Sequence, residues 1–182
     1  MNNSYKGKIL ISTPDISGDI FSRSVLLIVD HNEDGAFGLI LNKKNTRMSS
    51  RLLDIFGFPV DVYEGGPVEN DKILFINKGK KVTELFSEID EQFYLTDDVE
   101  KIVAALIENE ITVNELKIFS GYSGWSPQQL EGEIARKVWT VVDLYNLDYT
   151  TPNDQNLWKN IMQNLGGDYL LWANAPEDVS MN

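Results

Sequence analysis

Two apolar runs joined by an Asp-Gly turn constrain this chain more than any other feature. Ser24–His31 (SVLLIVDH) and Ala36–Asn42 (AFGLILN) flank Asn32-Glu33-Asp34-Gly35. Asp-Gly between two such runs is a strong hairpin signal. Val25–Val29 is apolar at every position. A strand presents alternate residues to opposite faces, so both faces of this one should be covered. A sheet with one face in water does not satisfy that requirement.

The remaining segments supply the cover. Gly7–Ser12 reads as a strand stopped by Pro14, which has no ladder donor. Val60–Tyr63, Lys72–Lys78 (KILFINK), Phe93–Leu95, Glu115–Ser120 and Val138–Asp143 read as further strands. Ser49–Phe56 has Leu52, Leu53 and Phe56 at helical spacing, with Gly57 placed to end it. Asp98–Asn109 carries the stripe Val99, Ile102, Val103 and Leu106, with Asp97 and Glu100 at capping-box spacing. Ser126, Pro127 and Gln129 predict a helix start at Ser126 that runs to about Arg136, with Leu130 and Ile134 inward. Thr151 and Pro152 predict a last helix with Leu157, Trp158, Ile161, Met162 and Leu165 on its apolar face, ended by Gly166-Gly167. The tail over 175–182 is expected to fray. A hairpin followed by strands mixed with helices predicts one α+β domain over 1–182, with a mixed, largely antiparallel sheet. A sheet wrapped tightly on itself, or curled into a small barrel with helices outside, would bury the two-sided strands.

Composition removes several chemistries. The chain has no cysteine and one histidine, His31. Disulfides, iron–sulfur clusters, cysteine-ligated zinc and multi-histidine mechanisms are excluded. Any metal ligands would have to be carboxylates, and neither a metal nor a cofactor is expected. Wholly apolar runs such as Val25–Val29 are far short of the roughly 20 residues that a membrane helix needs. Met1–Lys6 lacks an apolar core segment, so a secretory signal is not expected. The net charge is −12. A phosphate backbone repels such a chain unless its cations gather on one face. Lys43, Lys44, Arg47 and Arg51 form one cluster, and Lys78, Lys80 and Lys81 another. Neither makes a stripe along a long helix, so direct nucleic-acid binding is not expected.

Two glycine-rich segments are candidate sites. Gly65-Gly66-Pro67 would let a backbone approach a ligand, or would simply turn the chain. Gly121-Tyr122-Ser123-Gly124-Trp125 lies between a strand and a helix, where amides could face a ligand or glycines could allow a close crossing. It is not a nucleophile elbow, because Gly124 directly follows Ser123. His31 and Asn42 end the two hairpin strands. Gln129 and Glu133 stand one helical turn apart on one face. Arg23 precedes a buried strand, where its guanidinium needs acceptors such as turn carbonyls or Glu133. These groups are expected to gather on one side of the domain: Arg23, His31, Asn42, Gly65, Gly66, Pro67, Gly121, Tyr122, Gly124, Trp125, Gln129 and Glu133.

Taken together, Gly7–Pro14, Phe21–Val25, His31, Gly35–Asn42, Gly65–Val68, Gly121–Trp125, Gln129–Glu131 with Glu133, Trp139 and Leu157-Trp158 resemble the AlgH/YqgE family of bacterial proteins. The likeness runs along nearly the whole chain in order. Gln128 stands where the family often has Gly, and Lys43-Lys44 where it often has Pro. The resemblance implies a bifurcated sheet with a small closed barrel surrounded by helices. It implies a cytoplasmic protein without an established activity. Members are sometimes labelled transcriptional regulators, a label that the charge argument does not support as direct DNA contact. A non-catalytic module that holds a small ligand or a protein partner is the first expectation. An enzyme using Glu133, His31 or Arg23 is the second, and a direct DNA binder the third.

Overall fold

The computed structural model describes residues 4–13, 20–144, 147–153 and 156–174. The expected hairpin is its centre. β2 (Val25–Asn32) pairs antiparallel with β3 (Gly35–Ile40), from Leu26 opposite Ile40 to Asn32 opposite Gly35. The two loop residues are Glu33 and Asp34, and the Asn32 side chain accepts from the Asp34 amide at 2.8 Å. β1 (Ile9–Ser12) pairs with β2 on one edge and with β9 (Trp139–Val142) on the other.

β8 (Leu116–Trp125) is the longest link. It pairs antiparallel with β5 (Val68–Lys78), parallel with β4 (Val62–Glu64), and antiparallel with β3. β4 lies along residues 118–120 and β3 along 123–125, so one edge of β8 serves two strands in succession and the sheet forks there. β7 (Phe93–Thr96) and β6 (Ser87–Asp90) extend the far side. The sheet order is β6-β7-β5-β8-β3-β2-β1-β9, with β4 beside β8.

Five helices are present among the described residues. α1 (Thr46–Phe56) is capped by Asn45, whose side chain accepts from the Met48 amide, and ends on Gly57 at φ 76°. α2 (Val99–Ile107) is capped by Asp98 rather than by Asp97 as expected. α3 (Gln129–Ala135) begins three residues after Ser126, because β8 extends to Trp125 and Gln128 turns through φ 65°. α4 (Asn156–Leu165) and α5 (Tyr169–Ala173) complete the set. The expected Pro14 stop and the 175–182 tail lie outside the described residues.

Both sheet faces are covered. Val25, Leu27 and Val29 share one face with Ile9, Leu39, Ile76, Phe119 and Val142, packed on Trp158, Ile161 and Met162 of α4. The opposite face is covered in two patches. Leu26, Ile28 and Ile40 pack with Leu130 of α3 and with Trp125 and Trp139. Phe75, Leu116 and Ile118 pack with Met48 and Leu52 of α1 and with Ile102 and Ala105 of α2. The small closed barrel is not formed. β6 and β9 stand at opposite ends of the sheet and no ladder joins them. Closure is unnecessary because α4 and α5 fill the face that a barrel would have turned inward.

The fork depends on close backbone contact. A Cβ added to Gly66 would lie 2.2 Å from the Tyr122 carbonyl. Gly66→Ala is expected to cost more than about 3 kcal/mol. Gly79→Ala has a positive φ but open space around it, and should cost only about 1 kcal/mol. Urea unfolding of the two variants checks this; equal losses would contradict it.

Candidate functional site

The two glycine segments do meet, backbone against backbone. The Gly65 amide donates to Ser120 O at 3.0 Å. Its carbonyl accepts from the Ile40 amide at 2.9 Å and from Ser123 Oγ at 3.1 Å. A Cβ on Gly121 would lie 2.5 Å from Gly66 O. Gly121–Trp125 is therefore part of strand β8 and not the turn that its composition suggested. Pro67 is exposed beside the crossing. Tyr122 packs on Phe37, with ring centroids 4.7 Å apart, on the face of β8 opposite Trp125. A hydrogen bond with Glu69 pushes its hydroxyl above the usual tyrosine range.

The polar candidates are held by separate partners. Asn42 accepts from the Val25 amide and donates to the Arg23 carbonyl, both at 3.0 Å, which fixes the start of β2. The Arg23 guanidinium lies 5.0 Å from the Trp158 ring centroid, a cation–π distance. His31 is buried and stacks on Tyr5. Its Nδ1 accepts from the Tyr5 amide at 2.9 Å, so the hydrogen sits on Nε2, 3.2 Å from Glu131 Oε1. Arg23, His31 and Asn42 thus act as ties between chain segments.

Four candidates line one cleft. Gly124, Trp125, Gln129 and Glu133 join Phe21, Arg136, Val138 and Trp139 around a cavity of about 400 Å3. Glu133 organises it. Its Oε1 accepts from the indole N–H groups of Trp125 and Trp139, each at 3.1 Å, and its Oε2 from Gln129 Nε2 at 3.1 Å. Gln129 Oε1 in turn accepts from the Ser126 amide at 3.0 Å. Phe21 and Trp125 both meet Trp139 edge to face. Exposed Arg136 brings a cation to this cleft. Arg23 is not among the partners of Glu133, so the bridge expected between them is not made.

The sequence reading missed Lys117. It is 2% exposed and lines a separate cavity of about 320 Å3 with Tyr63, Asn114, Asp148 and Thr150. Its Nζ donates to Leu41 O at 2.8 Å and Thr151 O at 3.0 Å, and lies 4.1 Å from the Tyr63 ring centroid. Burial lowers its pKa to about 7; Asp148 opposes that shift and Lys44 adds to it. Burial pushes Asp148 up, but bonds from Lys78 and Thr150 outweigh it and hold the carboxyl below its usual range. Strand parity was the available signal, because Lys117 and Phe119 fall on the same face of β8. A third recess, between α1 and α2, is apolar and lined by Ile55, Phe58 and Ile107.

Comparison with known proteins gives a consistent result. A family model described as AlgH-like matches residues 9–170. The chain is 34% identical over 179 residues to a UPF0301 protein of Cytophaga hutchinsonii, covering 97% of this chain and 98% of the relative. It is 31% identical to a UPF0301 protein of Streptomyces coelicolor, covering 99% and 96%. The solution structure of the AlgH protein from Pseudomonas aeruginosa is similar at TM-score 0.71, with 23% identity and 97% of each chain covered. A crystal structure of a Corynebacterium diphtheriae protein is similar at TM-score 0.72, with 21% identity and 96% and 94% covered. At those identities the structures show a shared fold.

Two outcomes follow from this chemistry. Glu133→Ala leaves two buried indole N–H groups without their acceptor and should cost about 2–4 kcal/mol. Glu131→Ala removes a half-exposed partner of His31 and should cost within about 1 kcal/mol. Chemical denaturation followed by tryptophan fluorescence measures both. Lys117 makes stability depend on pH. Its folded pKa lies below its unfolded value, so between about pH 7 and pH 10 the unfolded chain holds the extra proton and stability rises with pH. Below about pH 7 both states are protonated and this contribution is flat. The slope should approach about 1 kcal/mol per pH unit and vanish in Lys117→Met. Parallel profiles for the two proteins, measured in urea at pH 7, 8 and 9, would contradict the assignment.

Proposed function

The chain belongs to the AlgH-like family, and from that premise we propose that it is a non-catalytic binding module whose ligand seats between Trp125, Trp139 and Arg136. The carrying observation is the saturation of Glu133. Both carboxylate oxygens are occupied by donors from the protein itself. A general acid or base must reach a substrate proton, and a carboxylate spent on three internal bonds is poorly placed for that. The same bonds fix the two indoles, which suits recognition by a rigid surface. Aromatic walls with one cation favour a flat aromatic ligand carrying an acidic group: the ring stacks on indole and the acid pairs with Arg136.

An enzyme built on Glu133, His31 and Arg23 fits less well, because each of these groups is committed to a different partner. Direct DNA binding also fits less well. Beyond the charge of −12, cations of both basic clusters face carboxylates: Arg51 faces Asp71, Lys78 Asp148, Lys80 Glu110 and Lys81 Glu84. Any regulatory role on this reading runs through the bound ligand or a protein partner. A cytoplasmic location goes with it, as the resemblance implies. Among the described residues no helix is long and apolar enough to cross a membrane.

The test is a titration followed through the indole N–H resonances of Trp125 and Trp139, with indole-3-acetate, benzoate and nucleoside monophosphates as probes. Saturable shifts at those two resonances that weaken at least about tenfold in Arg136→Ala are expected. Shifts absent for every probe, or unchanged in Arg136→Ala, would overturn the assigned ligand class.

A further inference from the structure

Lys117 has no place in the Trp125–Trp139 cleft, and its surroundings differ in kind. Among the described residues it is the one basic group lining its cavity. Its two hydrogen bonds, to Leu41 O and Thr151 O, account for both hydrogens of a neutral amine. The remaining position on nitrogen carries the lone pair. Tyr63 supplies an aromatic wall at 4.1 Å. The other polar lining groups include Asp61, Asn114, Asp148 and Thr150, a set rich in acceptors.

We propose that this cavity is a covalent capture site for small hydroxylated aldehydes, which Lys117 Nζ holds as an imine. The amine lone pair adds to the carbonyl carbon and gives a carbinolamine. One nitrogen proton has moved to oxygen in that intermediate, which then loses water. Its hydroxyl leaves with a proton from solvent at the cavity mouth, the nitrogen lone pair becomes the second bond to carbon, and the remaining N–H proton returns to solvent to give the neutral imine. One amine and one aldehyde give one imine and one water, with no change of oxidation state. Once protonated, the imine keeps one N–H, which stays on the buried Leu41 carbonyl. Thr151 is exposed, so water can take over its carbonyl. The hydroxyl groups of the aldehyde find acceptors in Asp61 and Asn114. Two carboxylates in the lining, Asp61 and Asp148, disfavour an oxo acid in the same place. The cavity of about 320 Å3 matches a small metabolite rather than a polymer. Burial supports the chemistry, because an amine titrating at about 7 is roughly half in its nucleophilic free form at neutral pH. An exposed lysine has about a thousandfold less free amine there.

The test is reductive trapping. The full chain is incubated with D-glyceraldehyde and cyanoborohydride at pH 7, quenched at short times, and mapped by peptide mass spectrometry. The expected result is one adduct on Lys117, formed at least about tenfold faster than at any of the eleven other lysines. Propanal, which has no hydroxyls, should label Lys117 more slowly. Lys117→Arg keeps donors for Leu41 and Thr151 and should show only slow, scattered labelling. The wild-type map decides even where that variant fails to fold. Labelling spread over the exposed lysines with Lys117 unmodified would overturn the proposal. Equal labelling by propanal would overturn its preference for hydroxylated aldehydes.

Discussion

One strand edge has to serve two partners, and the rest of the structure is arranged around that demand. β8 carries β5 along one side, while β4 and then β3 take the other. Gly65 stands at the point of divergence. Its amide continues the β4–β8 pairing toward Ser120, and its carbonyl turns to Ile40 of β3 and to the Ser123 hydroxyl. Neither set of bonds forms unless the backbones approach more closely than a Cβ allows. Gly65, Gly66 and Gly121 are all required at this one crossing for a steric reason. Glycines that look like a ligand loop in the sequence are consumed by the architecture.

The fork then decides where apolar surface must go. β2 and β3 are apolar on both faces, and β5 and β8 contribute to both faces as well. A closed barrel would bury one face by curvature. This sheet stays open, and a helix covers that face instead. α4 inserts Trp158, Ile161 and Met162, with the Trp158 indole donating to Ser12 O at 2.8 Å. Buried apolar area is the main driving force in either arrangement, so strand patterning alone does not distinguish them. What distinguishes them is an amphipathic helix near the end of the chain, available to fill the space.

That difference explains which features could be read in advance. The β2–β3 hairpin, the Gly57 helix stop and the inward Leu130 rest on local signals, and the structure has them; β3, expected to run to Asn42, ends at Ile40. β6 was not read, because Ser87-Glu88-Ile89-Asp90 carries a single apolar residue and lies at the sheet edge. Gly121–Trp125 looked like a turn because glycine usually weakens a strand, and only the crossing with Gly65-Gly66 reverses that preference. Of the candidate site, the Gln129–Glu133 pair was visible from helical spacing. The indole partners of Glu133 were not, because Trp125 and Trp139 come from different strands. Lys117 was hidden by habit: a lysine between apolar residues in a strand is usually the solvent-facing member, and only a sheet buried on both faces turns it inward.

The two cavities share no lining residue, and that separation has a physical consequence. Trp125 belongs to the patch beneath α3, whereas Lys117 shares its face of β8 with Phe119, which packs with α4. Each uses its charged group differently. Glu133 is a carboxylate given three donors, so its charge is satisfied and its role is to hold neighbours in place. Lys117 is an amine given two carbonyls and an aromatic ring but little solvent, so its charge is under pressure and its neutral form is accessible. A group whose ionic form is fully compensated favours rigid recognition. One whose ionic form is penalised stores reactivity that folding has already balanced against the rest of the core. The AlgH-like fold carries both in this chain, and because no residue lines both, each can be altered without touching the bonds of the other.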